Sequence, residues 1–155
     1  MSIGDRPVPY LERTDMDYKL ELVLIPVSDV DRAKKFYLEQ AGFVLIVDTA
    51  IGEDMRVVQA VPPGSECAIG FGTGLTSAVP GAAQGLHLVV SDILAARAEL
   101  LERGVAVSKV RHLEAGTWVD GPDPERANYQ SFADFTDPDG NIWILQEVDR
   151  SKGQA

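Results

Sequence analysis

The chain has 155 residues, 45% hydrophobic and 25% charged, with a formal net charge of −10 and one cysteine. That length bounds it to one compact domain, or two half-domains sharing a core. The charge disfavours a phosphate backbone as partner, no apolar run reaches the roughly 20 residues of a membrane helix, and Cys67 alone excludes an internal disulfide framework and fits a reducing cytoplasm.

Residues 1–17 lack the charged-then-apolar pattern of a signal peptide and read as an N-terminal extension. Residues 20–27 are apolar but for Glu21 and partly β-branched, which predicts a buried strand. Ser28 or Asp29 can cap the helix expected over residues 30–40, whose Ala33, Phe36 and Tyr37 make one apolar stripe. Gly42 ends it. Strands are expected at 43–47, 56–61 and 67–71, the last two joined by the turn Pro62-Pro63-Gly64-Ser65. Residues 76–84, rich in Pro, Gly and small side chains, read as a linker. A strand at 86–90 follows, then a helix capped by Asp92 with Ile93, Ala96, Leu100 and Leu101 on one side, and Gly104 at its end. A strand is predicted at 105–110, a long polar loop at 114–130, and final strands at 132–135 and 142–148.

The order repeats. Val27-Ser28-Asp29 and Val90-Ser91-Asp92 each close an apolar stretch and open a helix. The chain therefore divides into a β-α-β-β-β module at 18–75, a linker at 76–84, a second module at 85–149 and a tail at 150–155. Two similar halves imply a pseudo-twofold, with any binding site where they face each other.

Two motifs suggest other chemistry and fail on context. Gly70-Phe71-Gly72-Thr73-Gly74 is not followed by a helix that could hold a phosphate. Asp137-Pro138-Asp139-Gly140-Asn141 lacks the twelve-residue loop and terminal Glu of a calcium site and reads as a tight turn. Cys67, in an apolar run, reads as an inert core thiol, and His112 as surface.

Three stretches, LVLIPVSDVDRAKKFYLEQAG (22–42), LHLVVSDILAARAELLERG (86–104) and FADFTDPDGNIWILQE (132–147), together with the duplication, give the chain its likeness. It resembles the vicinal oxygen chelate superfamily of glyoxalases, bleomycin-resistance proteins and extradiol dioxygenases. The resemblance implies an α+β fold in which two β-α-β-β-β modules curl into an open eight-stranded cup, and a homodimer, sometimes with modules exchanged between chains. It also locates the family's metal-ligand positions, which here hold Leu22, Gly70, Gly85 and Ile144. None offers a side-chain donor, so no metal and no other cofactor is predicted. A displaced site using His87 and Gln146 is the one route to a divalent metal.

Strand alternation places Leu22, Leu24, His87, Val89, Ile144 and Gln146 on the inner face of such a cup, with Glu21, Trp143 and Glu147 on the other side. Trp118 and Tyr129, from the long loop, join the ligand-binding candidates as lid or binding-loop residues. The expected function is metal-independent binding of a small hydrophobic or aromatic molecule in the cup. The alternative is a metal-dependent lyase, isomerase or dioxygenase of the same superfamily with a displaced metal. No catalytic residue is assigned, and neither nucleic acid nor membrane is expected as partner.

Overall fold

A computed structural model describes residues 14–152; most of the N-terminal extension and the end of the tail fall outside them. The first module runs β1 (Leu22–Leu24), α1 (Val30–Lys35, continued by a wider turn over Phe36–Gln40), β2 (Val44–Ile51), β3 (Met55–Val61) and β4 (Ala68–Thr73). Its sheet has the order β1-β4-β3-β2 with β1 parallel to β4. The second module runs β5 (Leu86–Val90), α2 (Ile93–Glu102), β6 (Arg111–Glu114), β7 (Thr117–Asp120), β8 (Ser131–Thr136) and β9 (Ile142–Glu147). Its sheet has the order β5-β9-β8-β6-β7 with β5 parallel to β9.

Both helices start as the sequence predicts. Asp29 accepts from Arg32 N at 3.0 Å and Asp92 from Ala95 N at 3.1 Å, each satisfying a backbone N–H that has no partner inside its helix. The wide turn that ends α1, where Ala41 N donates to Phe36 O at 2.8 Å, turns adjacent Phe36 and Tyr37 both inward.

One face of each sheet feeds a single core. Val58, Ile69 and Phe71 of the first sheet and Ala133, Phe135, Trp143 and Leu145 of the second meet Phe36, Tyr37, Ile93 and Leu100 of the helices. Tyr37 packs on Phe43, Phe71 and Trp143, so α1 serves both modules. Its hydroxyl donates to Asp137 Oδ2 at 2.7 Å and accepts from Trp143 Nε1 at 3.0 Å. Burial above all, then the Asp137 carboxylate, holds this phenol protonated far above the ordinary tyrosine range.

The turn 137–141 ties the modules together. Asp137 accepts from Asp139 N and from the backbone and side chain of Asn141. Asn141 in turn donates to Pro26 O at 2.8 Å and accepts from Ala83 N at 3.0 Å, while Asp139 accepts from Ser28. The linker is pressed onto this turn: a Cβ at Gly81, whose φ is +88°, would lie 2.4 Å from Asp139 O.

Two sequence expectations are corrected. Residues 105–110 are not a strand; Val105, Val107 and Val110 are buried in the core, with Val107 making one isolated bridge to Phe135. The strand lies just beyond, at β6, and the expected polar loop contains a β6–β7 hairpin that makes the second sheet five-stranded. The described residues thus form nine strands rather than the expected eight. The turn Ala115-Gly116 has positive φ at both residues, 51° and 81°, the geometry that matches hairpin twist.

Candidate functional site

The faces opposite the core are open. On the first sheet β1 and β4 put Leu22, Leu24 and Gly70 there, in register with one another. On the second, cross-strand pairing aligns His87 with Ile144, Val89 with Gln146, Gln146 with Phe132, Ile144 with Asp134, Phe132 with Arg111, and Leu113 with Trp118. Directly paired residues share a side of the sheet. The pairing therefore defines a continuous face from His87 and Val89 on edge strand β5 to Trp118 on edge strand β7. Glu147 and Trp143 point to the core side, as their parity predicts.

The candidate residues thus fall on two sheets, Leu22 and Leu24 on one and the others on or beside the second. His87, Val89, Ile144 and Gln146 are neighbours, and Gln146 Nε2 donates to Tyr129 O at 3.2 Å, which brings Tyr129 alongside. Trp118 lies four strand spacings from His87, roughly 19 Å along the sheet, too far for one small molecule to touch both. Around Trp118 the structure adds groups that the sequence reading missed. Phe132 stands edge-on to it at 5.6 Å, and the Arg111 guanidinium lies 5.0 Å from its ring centroid. Arg111 is held by Asp134 at 3.0 Å and by Ser108 Oγ at 3.2 Å. Strand alternation could have flagged Phe132 and Asp134; Arg111, and the place of Trp118 on a strand, needed the hairpin. Trp118 itself is 51% exposed, a large apolar surface fixed in orientation by its neighbours.

Tyr129 sits in a clamped segment rather than a loose lid. Its N donates to Glu147 O at 2.8 Å, and its φ is +71°. Arg126, also at positive φ, donates to both carboxylate oxygens of Glu147 at 2.6 and 2.9 Å and to Asp92 at 3.2 Å. Glu147 further accepts from Ile93 N at 2.9 Å. Burial pushes the Glu147 carboxyl up, but Arg126 and the Ile93 N–H outweigh it, so its pKa is lowered. A polar cavity of about 500 Å³ borders these groups, and within it Arg126 bridges Asp92 and Glu147.

His112 corrects another expectation: it is 4% exposed rather than on the surface. Nδ1 lies 2.7 Å from Gly121 O and Nε2 2.8 Å from Glu114 Oε2. With the Glu114 carboxylate ionised both partners accept, and this geometry favours the doubly protonated ring. Glu114, then the Gly121 carbonyl, raises its pKa. Cys67 is half-buried and borders a cavity rather than sitting inside the core.

The positions that the resemblance assigns to metal ligands lie close together in pairs. A Cβ on Gly70 would lie 3.2 Å from Leu22 Cδ1, and one on Gly85 3.9 Å from Ile144 Cδ1. Glycine and aliphatic side chains give no donor set for a divalent ion, so the residues present do not fit the metal. Among the described residues no group of three His, Cys, Asp or Glu side chains is placed to hold one elsewhere, and no helix is long and apolar enough to cross a membrane.

Solved structures supply relatives. A glyoxalase/bleomycin resistance protein from Streptomyces sp. CB03234 is 34% identical, covering 83% of this chain and 99% of its own, with a TM-score of 0.64. TnmS3, an antibiotic binding protein from the same organism, is 32% identical over 87% of this chain and 98% of its own, with a TM-score of 0.66. A superfamily member from Sphaerobacter thermophilus DSM 20745 is 30% identical over 85% and 98%, with a TM-score of 0.67. No functionally curated protein matches the chain. Residues 19–145 match the model of one family, and with two β-α-β modules and the paired, donor-free ligand positions in place, the chain belongs to the Glyoxalase/Bleomycin resistance protein/Dioxygenase superfamily.

Proposed function

We propose that this protein is a metal-independent, non-catalytic binder of a small hydrophobic or aromatic molecule. The ligand lies on the open face of the second sheet, and the open face of the first sheet from a second copy covers it. The observation that carries this reading is Trp118, half-exposed yet fixed between Arg111 and Phe132 on a face that continues through Gln146 and Val89. An apolar wall with a few polar groups is the usual makeup of a small-molecule site. Tyr129, Ile144, Val89 and Gln146 form the centre of the wall, His87 its far edge, and Leu22 and Leu24 the facing cover. The similarity to an antibiotic binding protein at 32% identity supports the same ligand class. The single cysteine fits the reducing cytoplasm, where we place the protein.

The test is calorimetric titration of the purified protein with a panel of polycyclic aromatic antibiotics. At least one should bind saturably, and Trp118→Ala should weaken it roughly tenfold or more, as for a buried aromatic anchor. A panel without saturable binding, or a Trp118→Ala variant that binds as wild type does, rejects the assignment.

A further inference from the structure

Among the described residues β5 pairs with β9 on one side and with no strand on the other. Backbone polar groups of a strand alternate between its two edges, as side chains alternate between its two faces. Val90 O accepts from Val148 N at 2.9 Å, just past the end of β9, so Leu86, Leu88 and Val90 turn their N–H and C=O groups toward β9. Glu147 O, one position away on that chain, is turned to the opposite side and accepts from Tyr129 N, which fixes the same phase. The N–H and C=O of His87 and Val89 therefore point to the free edge. Among the described residues none of these four groups has a hydrogen-bond partner.

The free edge borders a cavity of about 250 Å³, where β1 and β4 of the first sheet approach β5. Val23, Ile69, Leu88 and Trp143 give it apolar walls, and exposed Ser65 stands at its rim. His87 lines it as well. The imidazole is on the open face with Ile144, so what the cavity meets of His87 is its main chain. The cavity thus joins apolar walls to the N–H and C=O of one residue, side by side. A neighbouring strand would satisfy such a pair, but it has no path here. Pro62 and Leu88 line both this cavity and the next one along β5, of about 180 Å³, which Val89 and Val90 border. They divide the edge after a single residue.

A ligand that carries an acceptor beside a donor in one ring satisfies His87 without crossing that barrier. A cyclic amide does so, because its ring holds N–H and C=O on the same side, whereas an open-chain trans amide turns them apart. A cavity of roughly 150 Å³ already admits benzene, so this one takes a single ring. We propose that the cavity between the modules is a second ligand site, selective for a monocyclic lactam. The lactam C=O would accept from His87 N, its N–H would donate to His87 O, and its ring would pack on Trp143, Val23, Ile69 and Leu88. Trp118 and the imidazole take no part, so the site is independent of the open face.

The experiment adds δ-valerolactam to isotope-labelled protein and follows the backbone amides by NMR. The expected result is a saturable downfield shift of the His87 amide proton, with its solvent exchange slowed several-fold and the Val89 amide little changed. N-methyl-δ-valerolactam keeps the ring and carbonyl but lacks the donor, and should bind about five- to tenfold more weakly, the worth of one hydrogen bond. His87→Ala keeps the main-chain pair and should bind δ-valerolactam with unchanged affinity. Ser65→Phe at the rim should abolish binding while the amide spectrum away from the cavity stays the same. No saturable shift at His87, or equal affinity for the N-methyl analogue, would overturn the proposal. Binding lost in His87→Ala would also overturn it, and would move the ligand to the open face. An open-chain trivaline amide that shifts His87 and Val89 together would overturn it in favour of strand addition along β5.

Discussion

Tyr37 links two modules through one hydroxyl, which donates to Asp137 and accepts from Trp143. Tyr37→Phe keeps the ring packing but strands two buried groups, so unfolding in urea should show a loss of about 1–3 kcal/mol. His112 makes a different prediction. Its pKa is raised in the fold, so its stabilising contribution is complete below the unfolded value near 6.5 and is lost as pH rises through the folded value. Melting temperatures measured from pH 5.5 to 9 should therefore fall toward the alkaline end relative to His112→Asn. Parallel curves for the two proteins would remove His112 as the cause. At the metal-homologous positions, Leu22, Gly70, Gly85 and Ile144 give nothing to coordinate. Incubation with Zn, Ni, Mn or Fe followed by elemental analysis should give far less than one metal per chain. Near-stoichiometric metal would restore the enzymatic alternative with His87 as a ligand.

The segment 121–130 shows how an element depends on its clamps. Arg126 neutralises Glu147, which is 2% exposed and also caps Ile93 N. Arg126→Ala should cost about 2 kcal/mol, less than for a fully buried pair because the arginine is one-third exposed. It should also weaken aromatic ligands through a loosened Tyr129. Because the Glu147 pKa is lowered, its contribution is present above the ordinary glutamate value and lost as pH falls through the folded one. The stability gap between wild type and Glu147→Gln should therefore narrow below about pH 4.5. Both helix caps, the turn at 137–141 and the strand parity of Trp143 and Glu147 were legible in the sequence, because each depends on near neighbours. The β6–β7 hairpin was not. Its turn uses Ala115 where Asn or Asp usually signals positive φ, and Val105, Val107 and Val110 imitate a strand while serving the core. The clamp was hidden too, because nothing in the spacing of Arg126, Asp92 and Glu147 shows that they converge. Trp118, expected within a loop, lies on β7, and the width of the face between His87 and Trp118 depends on strand order, which periodicity does not contain.

At the scale of the molecule, the two open faces carry exposed apolar side chains, including Leu24 at 42%, Val89 at 46% and Trp118 at 51%. If paired faces from two copies form the ligand site, light scattering should give a dimer mass. Leu24→Glu should then shift it toward monomer and weaken aromatic ligands, although Leu24 sits on the sheet without Trp118. A monomeric wild type would confine the site to one sheet. The tie at 137–141 has a further consequence. Tyr37 and Trp143 are 106 positions apart, and Pro26 and Asn141 are 115 apart. Such contacts raise the contact order and slow folding. During synthesis the first module emerges long before the side chains that cover α1 exist, and so it must wait with that apolar stripe unshielded. Ribosome-bound chains stopped before Asp137 should be protease-sensitive and chaperone-bound, and those extended past Trp143 resistant; for this fold, stability is acquired late and all at once.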